Sequence, residues 1–430
     1  MAAASPAGMG LTEWRNWSGS VVADPAVIAK PQTEAELATI VRAAAHVRVT
    51  GAGHSFMPLC ETTGTLVSLE DMAGDLIVAP DRQSVDAPAG WSLKRFTAAL
   101  WAQGLSLANQ GDVNPQTLGG ALATGTHGTG RDLGSLATLA RSFRVVLADG
   151  SIVDCDPTVA PELFEAQRLS LGLLGIATRA RVAVIPALYL EERIELRPLG
   201  AVLEQLPELA AATRHMEFFL FPYAGSVTLK TLHPTDAAEL AEDEGDDRVF
   251  QACCDLAAAA PRSVPMIQRT LARLTRSSQR AGPAWRIFPS ERTVRFEEME
   301  YELPIANAIA ALREALLLVR TRRMPLIFPF EFRLVAADDI WLSPFHAGAC
   351  ASISVHQYAP MPWSEHFAEL ETVFRAHGGR PHWAKRHTLS SNDVRALYPM
   401  AEAFGRVRKR VDPEGKFMNA HLRQLFDFSQ

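Results

Sequence analysis

The sequence predicts an α+β fold with two domains. The chain has 430 residues, 48% of them hydrophobic and 21% charged, which suits two or three domains with their own hydrophobic cores. From Ile28 to Pro186, short strands, a few helices and glycine-rich turns follow one another as in an α+β nucleotide-binding unit. After Tyr189 the alternating strands are longer and are separated by helices, which predicts an antiparallel sheet covered by helices.

The first region contains one clear helix start. Thr33-Glu34-Ala35-Glu36 precedes LATIVRAAA and predicts a helix with a capping box at its N-terminus. The other predicted elements are strands at VRVT (47–50), TLVSLEDM (65–72) and SVDAPAG (84–90), a helix at WSLKRFTAALWAQG (91–104), a hairpin at RSFRVVLADGSIVDC (141–155) turned at Asp149-Gly150, and a strand at ATRARVAVIP (177–186).

The second region is predicted from its alternating segments. An acidic stretch, AAELAEDEGDDR (237–248), interrupts them and is predicted to be a solvated surface loop. The predicted strands are MEFFLFPY (216–223), GSVTLKTLH (225–233), TVRFEEMEYELP (293–304), PLIFPFEFRLVAA (325–337) and ACASISVHQY (349–358), and the helices are NAIAALREALLLVRTRR (307–323) and SEHFAELETVFRAHGG (364–379).

Charge and composition favour a small-molecule substrate. The formal net charge is −6 and no long Lys/Arg run occurs, which argues against nucleic acid or an anionic membrane as partner. The segment MAAASPAGMGLTEW lacks the features of a signal peptide, and no apolar stretch reaches the roughly 18 residues of a membrane span. We therefore expect a cytoplasmic protein. Its five cysteines are scattered without C-x-x-C spacing, so reduced thiols are expected and no zinc site.

The segment GAGHSF (51–56) places glycines and a histidine directly after a predicted strand. Glycines at such a point let the backbone approach a ligand closely. The segment does not fit the dinucleotide pattern G-x-G-x-x-G, because Phe56 occupies the last position. From the residues alone, a simple turn and a ligand-binding loop both remain open.

A second glycine-rich segment runs from residue 109 to residue 130 (NQGDVNPQTLGGALATGTHGTG). Such a run is expected to expose successive backbone N–H groups, which is how loops bind pyrophosphate without a lysine. It is no Walker loop, since G-x-x-x-x-G-K is absent. The alternative is a glycine-rich Ω-loop without ligand.

Two further segments carry candidate catalytic side chains. In PFEFRLV (329–335), period-2 geometry puts Glu331 and Arg333 on one strand face and the apolar residues on the other. The pair is either a surface ion pair or a substrate clamp. In GGRPHWAKRH (378–387), His382 and His387 lack an acidic partner at metal-ligand spacing, and Lys385 is a surface lysine or a site residue.

Together these segments resemble the aldonolactone and alditol oxidoreductases, which are flavoproteins of the vanillyl-alcohol-oxidase type. GAGHSF is similar to the flavin-attachment segment of that group, GGALATGTHGTG to its phosphate-binding loop and SLGLLGIATR (170–179) to its adenine-side segment. EMEYELP and EFR resemble its cap-domain motifs, and HWAK its terminal H-W-G-K. The similarity extends from about Trp14 to Leu422 in the family order.

The resemblance implies a two-domain FAD-binding fold of that type with an antiparallel-sheet cap. The expected boundaries are 14–187 for the FAD-binding domain, 188–378 for the cap and 379–430 for a C-terminal segment returning to the FAD-binding domain. His54 is expected to carry FAD covalently on its 8α-methyl group. The expected cofactor-binding residues are Gly51, Ala52, Gly53, His54, Ser55, Gly111, Asp112, Gly119, Gly120, Ala121, Thr124, Gly125, His127, Gly128, Gly175 and Ile176.

The resemblance also implies a reaction and its catalytic residues. By carry-over, Glu331 and Arg333 hold the substrate oxygens, Lys385 lies near the flavin N1–C2=O edge and the substrate, and His356 faces the active site. The expected reaction is oxidation of an aldono-1,4-lactone (L-gulono-, L-galactono- or D-arabinono-) by hydride transfer to flavin N5, giving an ascorbate-type product, with O2 or another acceptor. The alternatives are an alditol (xylitol or sorbitol) oxidase and a flavin-binding protein without this turnover; no metal is expected.

At three positions the sequence differs from some of the proteins that it resembles. Ala384 stands where HWGK has glycine. Asp112 stands where polyol oxidases have serine, which favours a lactone over an open polyol. Gly111 stands where galactonolactone dehydrogenases have an alanine that shields the flavin from O2, and a glycine there is permissive for O2 without proving an oxidase.

Overall fold

The structure is a computed structural model that describes residues 13–236, 247–290 and 292–428. The predicted acidic loop at 237–248 therefore lies almost entirely outside the described residues. Within them, no helix is both long enough and apolar enough to cross a membrane.

The first layer is a small parallel sheet. Helix α1 (Glu34–Ala43) connects two of its strands, and the Thr33 side chain accepts a hydrogen bond from Glu36 N at 3.2 Å. The Glu36 carboxylate accepts a hydrogen bond from Gln32 N at 2.8 Å. The predicted capping box therefore forms with the N–H of the residue before the N-cap in place of the N-cap N–H. The hydrogen-bonded strand order is β3 (Val27–Ala29), β5 (Thr65–Ser68) and β4 (Val47–Thr50).

The second layer is an antiparallel five-stranded sheet. The predicted hairpin is present, and Gly150 takes the left-handed φ of +79° that its turn needs. The strand order is β10 (Ile152–Cys155), β9 (Ala140–Val146), β11 (Ile176–Ala183), β7 (Ser84–Pro88) and β6 (Ile77–Val78). Two short pairs accompany it, β1 (Trp14–Arg15) with β2 (Val22–Ala23), and β8 (Leu105–Ser106) with β12 (Ile185–Pro186).

Helices from both ends of the chain share the core of this part. The helices are α2 (Leu93–Ala102), α3 (Leu118–Thr124), α4 (Pro161–Gln167), α12 (Ser391–Leu397), α13 (Ala401–Val411) and α14 (Ala420–Phe426). Phe96 of α2 and Phe404 of α13 belong to one hydrophobic cluster. The residues after 382 therefore pack against the five-stranded sheet and its helices.

The largest layer is an eight-stranded sheet in which every pairing is antiparallel, as the alternating segments predict. Its order is β16 (Ser278–Pro283), β13 (Tyr189–Pro198), β15 (Ser226–Pro234), β14 (His215–Leu220), β18 (Phe330–Val335), β19 (Cys350–Tyr358), β17 (Phe296–Pro304) and β20 (Arg380–Pro381). The helices of this part are α5 (Leu199–Glu204), α6 (Leu206–Ala212), α7 (Asp247–Ala259), α8 (Val264–Leu274), α9 (Ala284–Ile287), α10 (Ile305–Arg322) and α11 (Ser364–Ala376).

Both faces of strands β17 and β18 are covered, one by the apolar core and one by a polar cavity. Phe330, Phe332 and Leu334 of β18 belong to the hydrophobic cluster with α10 and α11. The intervening Glu331 and Arg333 face the cavity, which confirms the predicted division of the strand. The strand begins at Phe330, later than predicted, because Pro325 and Pro329 have no N–H to donate.

Candidate functional site

A cavity of about 490 Å³ lies where the loops of the two smaller sheets meet the polar face of the eight-stranded sheet. Its volume falls in the range of small-molecule and cofactor sites. Most of the predicted site residues line it: Gly51, Ala52, Gly53, His54, Ser55, Gly111, Asp112, Gly119, Gly120, Thr124, His127, Gly175, Ile176, Glu331, Arg333, His356 and Lys385.

Three predicted residues are not among the lining residues. Ala121 packs inward, where α3 contributes to the hydrophobic core. Gly125 ends α3 with a left-handed φ of +76°. Gly128 packs so tightly that a Cβ would lie 2.0 Å from the Gln110 carbonyl oxygen. These residues shape the loop without reaching the cavity.

The segment that carries His54 leaves β4 and folds along the cavity wall. Gly53 has a φ of +68°, and its carbonyl accepts a hydrogen bond from Trp17 N at 2.8 Å. The His54 ring stacks on Trp17 with the ring centroids 5.4 Å apart and the planes inclined by 24°. Burial, with the nearby charge of Lys385, lowers the pKa of His54 to about 4. The imidazole is therefore neutral at physiological pH.

The glycine-rich segment packs differently from the expectation of free backbone N–H groups. Gly119 N donates to Ala89 O at 2.8 Å, and Gly120 N donates to Thr117 Oγ1 at 3.3 Å. At these positions the prediction is wrong, because a carbonyl of the loop after β7 and the N-cap side chain of α3 already accept from these donors. The glycines instead permit close packing: a Cβ on Gly51 would lie 2.3 Å from Thr117 Oγ1, so only a glycine lets these loops meet.

Lys385 and His356 meet at one carboxylate. The Lys385 ammonium forms an ion pair with Glu298 Oε2, and His356 Nε2 lies 3.4 Å from Glu298 Oε1. The other ring nitrogen of His356 faces Pro329 O at 3.4 Å. Burial alone would raise the pKa of Glu298, but the charges of Lys385 and His356 outweigh it and lower the pKa to about 2. Glu298 is thus a permanent anion between two cavity-lining side chains.

Arg333 of β18 is held by Glu300, which lies on β17 together with Glu298. Its guanidinium donates to Glu300 Oε1, which also accepts a hydrogen bond from Ser352 Oγ. Glu331 Oε1 lies 3.5 Å from Arg333 Nε, and both of these buried atoms lack a hydrogen-bond partner among the described residues. Burial raises the pKa of Glu331 despite the charge of Arg333. A donor and an acceptor thus stand side by side in the cavity.

His127 forms an ion pair with the Glu300 carboxylate. Its Nε2 lies 3.1 Å from Glu300 Oε1 and 3.5 Å from Glu302 Oε1, while Nδ1 faces Gly128 O at 2.9 Å. Burial would lower the pKa of His127, but the charge of Glu300, opposed by Arg333 and assisted by Glu302, raises it to about 9. His127 is therefore an imidazolium at physiological pH, with both nitrogens donating.

Asp112 is fixed by cations close to Glu331. Arg292 donates to Asp112 Oδ2 at 3.1 Å, and Lys230 Nζ lies 3.8 Å from Asp112 Oδ1 and 2.8 Å from Glu217 Oε1. Burial and the charge of Asp112 raise the pKa of Glu217 to about 7. This cluster keeps the Asp112 carboxylate in place on the cavity wall.

Within the residues that the structure describes, two sets of side chains bring ligand atoms close enough together to share a metal ion. They are His127, Glu300 and His382, and Asp112, Glu217 and Glu331. In each set a cation of the protein already binds a carboxylate: Arg333 binds Glu300, and Lys230 binds Glu217. Since these cations supply the charge that a metal would supply, we assign no metal to the site.

Several residues of this site escape prediction from the sequence. Glu298 and Glu300 alternate on a strand that also carries Glu302, and this period-2 row of acids was an available signal. Lys230 and Glu217 lie on β15 and β14, which meet the site only through the sheet order, and the sequence offers no local signal for them.

The cavity fits FAD. Trp91 Nε1 and Gln167 Oε1 belong to residues that line it, are buried and have no hydrogen-bond partner among the described residues, one being a donor and the other an acceptor. A dinucleotide offers both kinds of partner. The backbone of residues 51–53 and 119–120 lines the cavity, and the absence of side chains at its glycines lets a ligand lie close to it.

Comparisons with known proteins show the family of the chain. The family model "D-arabinono-1,4-lactone oxidase" matches residues 180–425, and the model "FAD binding domain" matches residues 25–156. The chain is 34% identical over 424 residues to L-gulono-1,4-lactone dehydrogenase of Mycobacterium tuberculosis, covering 96% of this chain and 98% of that protein. It is 31% identical over 435 residues to L-gulonolactone oxidase of Scyliorhinus torazame, with the same coverage.

Two more distant similarities complete the comparison. Alditol oxidase of a Streptomyces species is 28% identical over 432 residues, covering 96% of this chain and 98% of that protein. Among solved structures, cholesterol oxidase from B. sterolicum superposes with a TM-score of 0.83 at 17% identity, covering 96% of each chain. At that identity the superposition shows a common fold and nothing about activity.

Proposed function

The chain belongs to the D-arabinono-1,4-lactone oxidase family of FAD-dependent oxidoreductases, with a fold of the vanillyl-alcohol-oxidase type, and from this premise we propose that it oxidises an aldono-1,4-lactone. The proposed substrates are L-gulono-, L-galactono- or D-arabinono-1,4-lactone, and the product is of the ascorbate type. The observation that carries the proposal is the convergence of Arg333, Glu331 and Lys385 in the cavity that also contains His54.

FAD, when bound, supplies the hydride acceptor at its N5 atom. The residues proposed to hold it are the glycine walls at 51–53 and 119–120, with Gly175 and Ile176. Gly175 has a φ of +124°, and a Cβ there would lie 2.6 Å from Val146 O, so a side chain at this position would disturb the cavity wall. Substitution of these residues tests whether they hold FAD.

Arg333 and Glu331 are proposed to orient the reacting carbinol. Arg333 Nε is a buried donor without a hydrogen-bond partner, and Glu331 Oε1 is a buried acceptor without one, again among the described residues. A substrate hydroxyl satisfies both, since it accepts one hydrogen bond and donates another. Burial raises the pKa of Glu331, which makes it a better acceptor of the hydroxyl proton, while Arg333 stabilises negative charge on the oxygen.

Lys385 is proposed to place positive charge beside the cofactor. Its ammonium lies 5.1 Å from the centroid of the Phe56 ring and close enough to His54 to depress the pKa of that histidine. Glu298 holds the ammonium in position, and His356 holds Glu298 from its other oxygen. His356 is therefore proposed to position Glu298 in the active site.

The linkage between His54 and FAD is a separate proposal. A covalent bond needs a neutral imidazole whose ring nitrogen has a free lone pair, and burial keeps His54 neutral. Acid precipitation of the purified protein tests the bond. Yellow colour in the pellet of the unmodified protein, and in the supernatant after His54→Ala, supports the linkage; colour in the supernatant of both removes it.

Substrate choice is tested by turnover on matched panels of lactones and open polyols with an artificial acceptor. Asp112, anchored by Arg292 and Lys230, stands where polyol oxidases have serine and supports the lactone. Activity confined to xylitol or sorbitol would replace the proposal by an alditol oxidase. Flavin that stays oxidised with every substrate would favour a binding protein without turnover.

The electron acceptor, the cellular location and the domain boundaries are further proposals. The electron acceptor is O2 or another oxidant, and Gly111 leaves the path to O2 open. We also propose a cytoplasmic location, which fractionation of the source cells tests. The domain boundaries at 187/188 and 378/379 are tested by limited proteolysis, where cleavage inside β13 rather than near its start would contradict the first of them.

A further inference from the structure

A second cavity lies in the eight-stranded part of the molecule and shares no lining residue with the first. We call it the arginine pocket, and it is lined by Arg262, Arg269, Arg320 and Arg323 together with Tyr223 and several prolines. It lies between the turn after β14, the start of α8 and the end of α10, and its volume is about 1060 Å³.

The arginine pocket contains four guanidinium groups and no carboxylate among its lining residues. This is unusual for a chain with a formal net charge of −6, whose acidic residues outnumber its basic ones. Arg322, on the same turn of α10, does form an ion pair, with Glu369 at 3.2 Å. Among the described residues, none of the four pocket arginines has such a partner.

Two of the four arginines hold the walls of the pocket together. Arg320 Nε donates to Pro222 O at 2.7 Å, and Arg269 Nε donates to Tyr223 O at 3.3 Å. A terminal nitrogen of Arg320 also donates to Ala224 O at 3.2 Å, whereas the bond of Arg269 uses its inner nitrogen. The terminal nitrogens of Arg269 make no hydrogen bond within the described residues, so part of the fork remains for a ligand.

The other two arginines are exposed at the pocket. The side chains of Arg262 and Arg323 form no hydrogen bond or ion pair within the described part of the chain. Arg323 ends α10 with a φ of +53°, a conformation that is uncommon for a residue with a Cβ. A left-handed residue is common at the C-terminus of a helix, and this conformation follows from the end of α10.

Tyr223 makes the pocket rigid and caps the helix end. Its hydroxyl lies 3.1 Å from Val319 O and 2.9 Å from Met324 O, and its N–H donates to Gln268 Oε1 at 3.0 Å. Gln268 is fully buried and also donates to Leu326 O. The carbonyls at the end of α10, which would repel an anion, are thus partly satisfied.

We propose that the arginine pocket binds the phosphate or pyrophosphate group of a small organic anion. Guanidinium groups bind phosphate through paired, charge-assisted hydrogen bonds, and a concave surface of one charge sign concentrates counter-ions. The face of Tyr223 and the rings of Pro261, Pro265 and Pro325 offer an apolar wall for the organic part. This site is separate from the proposed lactone site.

The test is calorimetric titration of the flavin-loaded protein with phenyl phosphate and with inorganic pyrophosphate at constant ionic strength. The variant carries Arg262→Gln with Arg323→Gln. The control carries Arg273→Gln with Arg313→Gln, which removes the same charge from exposed positions of α8 and α10 outside the pocket. Thermal melting and the flavin spectrum verify that both variants are folded.

We expect saturable binding to the unmodified protein and to the control, and a loss of about tenfold or more in affinity in the pocket variant. Equal losses in both variants, equal affinity for sulfate as for phenyl phosphate, or no binding at all would overturn the proposal. Binding only to vesicles containing phosphatidylglycerol, with no affinity for free phenyl phosphate, would replace the small ligand by a membrane surface. Lactone turnover should be unchanged in the variant, so the two proposals fail independently.

Discussion

His127 offers a prediction whose size follows from the structure. Its imidazolium lies between Glu300 and Glu302 and holds the carboxylate that binds Arg333. The folded protein raises the pKa of His127 to about 9, whereas an unfolded chain has a value of about 6.5. His127 therefore contributes stability that is fully present below about pH 6.5 and is lost as the pH rises through about 9.

The magnitude follows from the distance between these two values. At about 1.4 kcal/mol for each pH unit, the contribution is about 3 kcal/mol near pH 6.5 and close to zero near pH 9.5. The change is His127→Gln, which keeps a polar side chain but carries no charge at any pH. The difference in unfolding free energy between the two proteins should thus shrink by about 3 kcal/mol over this interval.

The assay is urea unfolding followed by tryptophan fluorescence at several pH values between about 6.5 and 9.5. His215→Gln is the matched control, because His215 is also buried and its Nδ1 faces Thr129 O at 2.8 Å, but burial lowers its pKa to about 4. Its contribution should change by less than about 0.5 kcal/mol across this interval, since the folded ring is neutral throughout and only the unfolded ring, with a pKa of about 6.5, is partly protonated at the lower end. A constant difference for His127→Gln as well would refute the assignment of an imidazolium.

Three other substitutions test the proposed site. Arg333→Lys removes the fork that binds two oxygens and should lower kcat/KM for the lactone by about 10²-fold with the flavin content unchanged; a change below about threefold would exclude a role in orienting substrate. Gly111→Ala places a Cβ 3.0 Å from His127 O and 3.2 Å from Thr126 Cγ2, and it should slow flavin reoxidation by O2 more than reoxidation by an artificial acceptor. The control Gly348→Ala, whose Cβ meets no atom within 4 Å, should leave both rates unchanged. Asp112→Ser should lower the ratio of lactone to xylitol turnover, and an unchanged ratio would remove Asp112 from substrate choice.

Local patterns in the sequence predicted much of the fold. The alternation at 330–335 predicted which side chains of β18 face the core and which face the cavity, because a strand has a strict period of two. The turn at Asp149-Gly150 was predicted because a left-handed residue there favours glycine. The family model and the similar proteins confirm the family that these motifs resemble.

The rest of the site depends on strand order, which local patterns do not contain. β17 and β18 are separated by β19 in the sheet, and Arg333 reaches Glu300 across that intervening strand. Lys230 reaches Asp112 from β15, two strands away from β18. The prediction of free N–H groups in the glycine-rich loop fails for a similar reason, since an acceptor such as Ala89 O comes from another loop.

The central claim is that this chain oxidises a sugar lactone through its flavin. The most direct measurement is anaerobic mixing of the purified, flavin-loaded protein with L-gulono-1,4-lactone while the flavin absorbance near 450 nm is followed. Our account predicts rapid bleaching with the lactone, slow or no bleaching with xylitol, and strong slowing by Arg333→Lys. A flavin that stays oxidised with every aldonolactone, in a protein that retains its full cofactor content, would contradict it.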